Sequence, residues 1–215
     1  MNNQKNATEI NPSEFLEGLL VNMPDPNLPE PDLVSYYILE KERKVFLDRD
    51  VGPDIMAITR LIMRWNAMDK DVPVEDRVPI RIYIFSYGGD SDYMWSMIDA
   101  ISLSKTPVIT INMGIAASAA SAIFVAGHKR YMLPSAEVII HEGSAEIAGD
   151  AVKVIDATNS YKELLKKLKE FYLNRTEIPR AHINKKRNND WHLDSKYCLE
   201  HKVCDRIIES LEEVL

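Results

Sequence analysis

The chain has 215 residues, 46% of them hydrophobic, and a net charge of −7 from 26 basic and 33 acidic residues. That length supports one substantial core plus a tail, and the acidic balance supplies no basic field for a nucleic acid backbone or an anionic membrane. Cys198 and Cys204 fit neither a metal knuckle nor a disulfide framework and read as small buried residues in a reducing compartment.

Residues 1–33 are polar and interrupted by Pro12, Pro24, Pro26, Pro29 and Pro31, the last four incompatible with helix interior or central strand. They read as a tail or docking arm, in which Phe15, Leu16, Leu19 and Leu20 could form a short amphipathic turn. The N-terminus lacks the basic-then-apolar order of a signal peptide, and no apolar run reaches the roughly 18 residues of a membrane span. A cytoplasmic location is the expectation.

From residue 34 strand and helix alternate. Val34–Leu39 and Lys44–Leu47 read as strands, and Pro53 opens a helical stretch carrying Ile55, Ile58, Leu61, Ile62 and Trp65. Ile80–Phe85 is the most strand-like segment; it stops at Tyr87-Gly88-Gly89-Asp90 before a helix from Ser91 to Leu103. Pro107–Asn112 repeats the pattern, ending at Gly114 before a small-residue helix from about Ser118 to Ala126. Successive strand, turn, helix units predict an α/β fold with a parallel sheet. A third strand, Glu137–Ile140, ends in His141, and a long charged helix runs from about 150 to 173 with Val154, Tyr161, Leu164, Leu165 and Leu168 for one face. Pro179 opens another helix, Ser195–His201 a shorter one, and the end of the chain is acidic.

In open parallel sheets, functional groups gather at the carboxyl ends of strands. Gly88-Gly89, Ser118 and His141 all sit there. Small neighbours around Ser118 let a substrate backbone approach, but a serine needs a base to take its proton and the base needs a third group to fix its tautomer. His141 and Asp190 can fill those roles, and the Gly89 and Ala119 amides can face a developing oxyanion. Each signal has a bland alternative. Ser118 could be a plain helix N-cap, His141 a satisfied strand end, Asp190 a turn residue and Gly88-Gly89 a tight turn. Ser121, one helical turn on, is a competing nucleophile that lies deeper and reads as a packing residue.

The residues resemble the proteolytic subunit of the ATP-dependent Clp protease (ClpP), from about Val34 onward. The resemblance rests on Ser86-Tyr87-Gly88-Gly89, Met113 to Ser118, and Lys129 to Pro134 through Ile140-His141. It implies a crotonase-like, ClpP-type fold of stacked ββα units over residues 34–215, with 150–173 as a protruding handle helix. It also implies a Ser118, His141, Asp190 serine endopeptidase, a homo-oligomer of stacked heptameric rings (a tetradecamer), and an AAA+ unfoldase that delivers unfolded polypeptides. Neither metal nor cofactor is implied for the subunit, nor any nucleic acid or membrane partner.

The chain departs from the family pattern at several points. Tyr87 stands for the motif's proline, and Glu142-Gly143 follow His141 where Gln-Pro is usual, so Tyr87, Gly88, Glu142 and Gly143 would line an altered substrate cleft. Asn188-Asn189 replace a charged pair that couples ring contact to the triad, and Arg81 stands where an unfoldase-docking aromatic is common, beside Tyr83 and Leu103. Two other readings compete: a catalytically silent or regulatory subunit of a mixed ring, and a crotonase-like enzyme acting on an acyl-CoA thioester.

Overall fold

The computed structural model describes residues 37–143, 145–185 and 190–215. The tail, its amphipathic turn and the Asn188-Asn189 pair lie outside them. Contacts divide the chain between Glu42 and Arg43. In the first unit, 37–41 is helical, correcting the strand expected over Val34–Leu39 where that segment is described. Leu39, Glu40 and Lys41 are straight-chain helix formers, and Lys41 Nζ lies 4.5 Å over the Tyr37 ring one turn back.

The second unit is α/β. Strands are β1 (Lys44–Leu47), β2 (Ile80–Ser86), β3 (Val108–Ala117), β4 (Lys129–Met132), β5 (Glu137–Ile140), β6 (Trp191–Asp194) and β7 (Arg206–Ile207). Helices are α1 (Met56–Met68), α2 (Ser91–Leu103), α3 (Ala119–Ala126), α4 (Ala151–Arg175), α5 (Arg180–Lys185) and α6 (Ser195–Glu200). The sheet runs β1-β2-β3-β4-β7 with every pair parallel, as the alternating pattern predicts; β5 adds parallel to β3, and β6 pairs antiparallel with β5.

One sheet face carries the main core, which takes in Ile82 and Ile84 and the buried sides of α1, α2 and α3. On the other face, Phe46, Tyr83, Ile111 and Tyr131 stand level across four strands, where Ile208 and Val214 from the chain's end pack on them.

β3 is longer than predicted and passes through Gly114 instead of ending there. A side chain at Gly114 would meet the Phe85 ring at 2.8 Å, so that glycine serves a close crossing, not a turn. The register between β2 and β3 shifts between Ile84 and Ser86. On its other edge the first half of β3 pairs with β4 and the second with β5. This extension carries the chain to Ser118 beside β5.

α4 has 25 residues, about 37 Å by helical rise. Asp150 caps its start, accepting from Lys153 N–H at 3.0 Å. The predicted stripe Val154, Tyr161, Leu164, Leu165, Leu168 is half-buried, and Tyr172 continues it as the helix's one buried residue. At the far end Arg175 donates to the carbonyls of Val125, Ala126 and Gly127, satisfying the carbonyls left without helical partners at the buried end of α3. Arg130 in turn donates to the Arg175 carbonyl and pairs with Asp205.

Candidate active site

The turn after β2 is built around two glycines. Gly88 (φ +100°) and Gly89 (φ +149°) occupy backbone space that favours glycine. Val51 grips both sides of the turn: its N–H donates to the Gly88 carbonyl and its carbonyl accepts from Asp90 N–H, each at 2.8 Å. Ser86 Oγ donates to the Arg49 carbonyl and accepts from Gly88 N–H. A methyl added at Gly88 would lie 2.6 Å from the Ala117 carbonyl oxygen, 2.7 Å from Ser118 Cβ and 2.9 Å from Ala119 N. The glycine turn is thus pressed directly against the residues that follow β3.

Ser118 occupies the sharp corner between β3 and α3 with φ +53° and ψ −124°, a conformation that costs a non-glycine residue roughly 1–3 kcal/mol. It stands at the N-cap position, yet its side chain makes no capping hydrogen bond. The corner is instead held by its backbone. Ser118 N–H donates to the Ile139 carbonyl at 2.9 Å, and the Ser118 carbonyl accepts from Ser121 N–H at 3.0 Å. The hydroxyl carries no structural hydrogen bond among the described residues. Among the described residues, neither Gly89 N–H nor Ala119 N–H donates a hydrogen bond. Two unengaged amides flanking a half-buried serine can stabilise an oxyanion.

Ser121 is fully buried, and its Oγ lies 2.6 Å from both the Ser118 carbonyl and Tyr172 Oη. It packs as the sequence suggests, leaving Ser118 as the nucleophile candidate.

His141 and Asp190 meet through strand register. Ile140 stands opposite Trp191 in the antiparallel β5–β6 pair, so the next residue on one strand faces the preceding residue on the other. His141 Nδ1 lies 3.3 Å from Asp190 Oδ1, with the carboxylate side chain 66% exposed. Ala117 pairs with Ile139 across the β3–β5 ladder, so Ser118 and His141 leave adjacent strand ends. Among the described residues no hydrogen bond joins Ser118 Oγ to the imidazole.

After His141, Tyr161 of α4 donates to the Glu142 carbonyl at 2.9 Å, and Gly143 turns with φ +75°. Burial, and then the Glu142 charge, raise the Tyr161 phenol above its ordinary range, so it remains a donor. A cavity of about 410 Å³ opens beside His141, with Leu165, Leu168 and Tyr172 on its apolar side and Lys162 and Lys166 among its polar lining.

Tyr87 is 68% exposed next to the glycine turn, and Leu103, at the end of α2, is 81% exposed. Arg81 is half-buried on β2. Tyr83 is buried, stacked on Phe46 with its hydroxyl donating to the Val214 carbonyl. Both cysteines are buried and free, and burial pushes the Cys204 thiol up to about 11. Among the described residues there is no His, Cys, Asp and Glu group fit for a metal ion, and no helix long and apolar enough to cross a membrane.

Sequence reasoning missed Tyr161 and Tyr172 as supports of the site. Tyr172 follows Leu165 and Leu168 at helical spacing, a signal of burial but not of which hydroxyl it meets.

The sequence profile of the Clp protease family matches residues 32–211. The chain is 30% identical over 138 residues to the ATP-dependent Clp protease proteolytic subunit 2 of Treponema denticola, covering 63% of this chain and 69% of that protein. It is 28% identical over 181 residues to the ATP-dependent Clp protease proteolytic subunit of Dehalococcoides mccartyi, covering 82% and 87%. Against subunit 2 of Borreliella burgdorferi the figures are 27% over 187 residues, covering 84% and 91%.

Proposed function

The chain belongs to the Clp protease family, and from that premise we propose that it cleaves peptide bonds of unfolded polypeptides with Ser118 as nucleophile. The observation that carries this reading is the corner at Ser118. Its backbone is strained and tied to the strand that ends in His141, and its hydroxyl is not used as a cap.

In the proposed mechanism Ser118 Oγ attacks the scissile carbonyl while His141 Nε2 takes its proton. The Nδ1 edge faces Asp190, which holds the imidazole in the tautomer that leaves Nε2 basic and steadies the imidazolium once formed. Negative charge developing on the carbonyl oxygen meets the Gly89 and Ala119 N–H groups. His141 then returns the proton to the leaving amine, and water, activated by the same imidazole, releases the acyl group. Gly88 lets the substrate backbone approach, Tyr87, Glu142 and Gly143 line the cleft, and the cavity beside His141 receives a substrate side chain over Leu165 and Leu168.

The family implies a ring assembly served by an ATPase partner. We extend this to a homo-oligomer of two stacked heptameric rings in the cytoplasm, an AAA+ unfoldase that docks near Arg81, Tyr83 and Leu103, and α4 as the handle between rings. Exposed Val152 and Ile155 on the first half of α4 are suited to such burial.

The test is intact-mass analysis after a fluorophosphonate, beside Ser118→Ala, with particle size read by native mass spectrometry. Labelling of wild type alone, and peptidase activity reduced by about 10⁴-fold or more in the variant, is the expected result. Full activity in an assembled Ser118→Ala particle would refute it, and an assembled, unlabelled wild type would point to a silent subunit.

A further inference from the structure

Ser118 C=O and Ala119 N–H are the two ends of one peptide unit. Because that unit is planar and trans, its carbonyl and its N–H point in opposite directions, and whatever fixes one fixes the other. The carbonyl end is held by the buried Ser121 Oγ at 2.6 Å and by Ser121 N–H at 3.0 Å. The amide end emerges beside Gly88, where a methyl on that glycine would approach Ala119 N to 2.9 Å.

The direction of the chain follows from proton counting. A carbonyl can only accept, so the single Ser121 hydroxyl proton goes to Ser118 O, and Tyr172 must donate into Ser121 Oγ at 2.6 Å. Tyr172 is 3% exposed. Burial raises its phenol above the ordinary range despite the Ser121 bond, so it keeps its proton near neutral pH. Hydrogen bonds in series polarise one another, and more so away from water. A carbonyl that accepts more strongly leaves its amide a better donor.

We propose that Tyr172 and Ser121 are positioning residues: a relay from α4, running Tyr172 to Ser121 to the Ser118 carbonyl, that aims and strengthens Ala119 N–H toward the oxyanion. The inference rests on the peptidase reading above and adds a specific role for the handle helix, whose Tyr161 also holds the segment after His141. Neither relay residue touches substrate through its hydroxyl. Both act through the peptide plane.

The experiment uses the full assembled particle and the variants Ser121→Ala, Tyr172→Phe and the double substitution. It measures kcat and KM on a fluorogenic peptide, and the affinity of a peptide aldehyde whose adduct places an oxygen in the same site. Active centres are counted by fluorophosphonate labelling. Losing one buried hydrogen bond is worth roughly a factor of five. Ser121→Ala should therefore lower kcat per labelled centre about fivefold and weaken the aldehyde in parallel, with KM little changed. Tyr172→Phe, which leaves Ser121 in place, should cost about two- to threefold. The double variant should be no worse than Ser121→Ala, because the second hydroxyl acts only through the first.

Wild-type kcat per labelled centre in Ser121→Ala, or multiplying effects in the double variant, would overturn the relay even if stability fell. An unlabelled wild type would instead overturn the peptidase reading, and the relay with it.

Discussion

Ser118 and Asp190 are held in opposite ways. Around Ser118 the backbone N–H is bonded to β5, the carbonyl is bonded to the first turn of α3, and Gly88 presses on the corner with no room for a methyl. Asp190 is largely exposed and reaches His141 at 3.3 Å from the edge of a four-residue antiparallel ladder. The Ser118 corner is set between buried Ala117 and Ala119, so the position of the proposed nucleophile is fixed when the chain folds. The proposed acid depends on β6 staying in register with β5, so its contact can be lost while the core stands. A site divided in this way has its geometry built into one half and its adjustability in the other.

The sharpest way to break the rigid half is Gly88→Ala. The new methyl would meet Ala117 O, Ser118 Cβ and Ala119 N at under 3 Å, and φ +100° is itself unfavourable for alanine. Backbone atoms cannot yield as a flexible side chain could, so both Ser118 and the Ala119 amide must move. We expect activity to fall by about 10³-fold or more and stability by about 1–3 kcal/mol, read by peptide turnover and thermal melting. Activity within tenfold of wild type would mean that the corner is far softer than its contacts imply.

Much of this half is legible in the sequence, because strand, glycine turn and helix N-terminus succeed one another with clear periodicity around Gly88, Ser118 and His141. What is hidden is long-range. The crossing of Phe85 over Gly114, which lets β3 continue to Ser118, leaves only a glycine that reads as a terminator. β4 carries Lys129 and Arg130, and neither their pairing with β3 nor that of Arg130 with Asp205 has a local pattern to announce it. Asp190 is identified through family resemblance and not periodicity, since a ladder between distant strands brings it to His141 from 49 positions away. The segment at 37–39 misleads for the reverse reason: Tyr37, Ile38 and Leu39 are apolar enough for strand, while Leu39, Glu40 and Lys41 together favour helix.

Asp190→Asn probes the adjustable half. An amide in that place can present its NH₂ to Nδ1 and favour the wrong tautomer, which in a fully held triad costs about 10⁴-fold in kcat. Because Asp190 is exposed and its contact with His141 is long, water can replace part of its role, and we expect a smaller loss, about 10²-fold. Assembly and thermal stability should be unchanged. A loss as large as that of Ser118→Ala would show the acid to be held as firmly as the nucleophile, and the contrast between the halves would fail.

The smallest effect concerns what the rigid half stands on. Arg175 covers the end of α3, Arg130 donates to the Arg175 carbonyl, and Asp205 grips Arg130 through Nη2 at 2.6 Å and Nε at 3.1 Å. Burial opposes the charge on Asp205, but hydrogen bonds and attraction from Arg130 outweigh it and hold the carboxyl below its ordinary range. A carboxylate whose folded pKa is depressed adds stability that is fully present above the unfolded value near 4 and is lost as pH falls through the folded one. Asp205→Asn should thus cost about 1–2 kcal/mol near pH 7, discounted for the partial exposure of the pair. The gap between variant and wild type should close on acidification below about pH 4. Chemical denaturation at pH 7 and at pH 3 measures it, and a gap of constant size would show that Asp205 supports α3 by shape and not by charge.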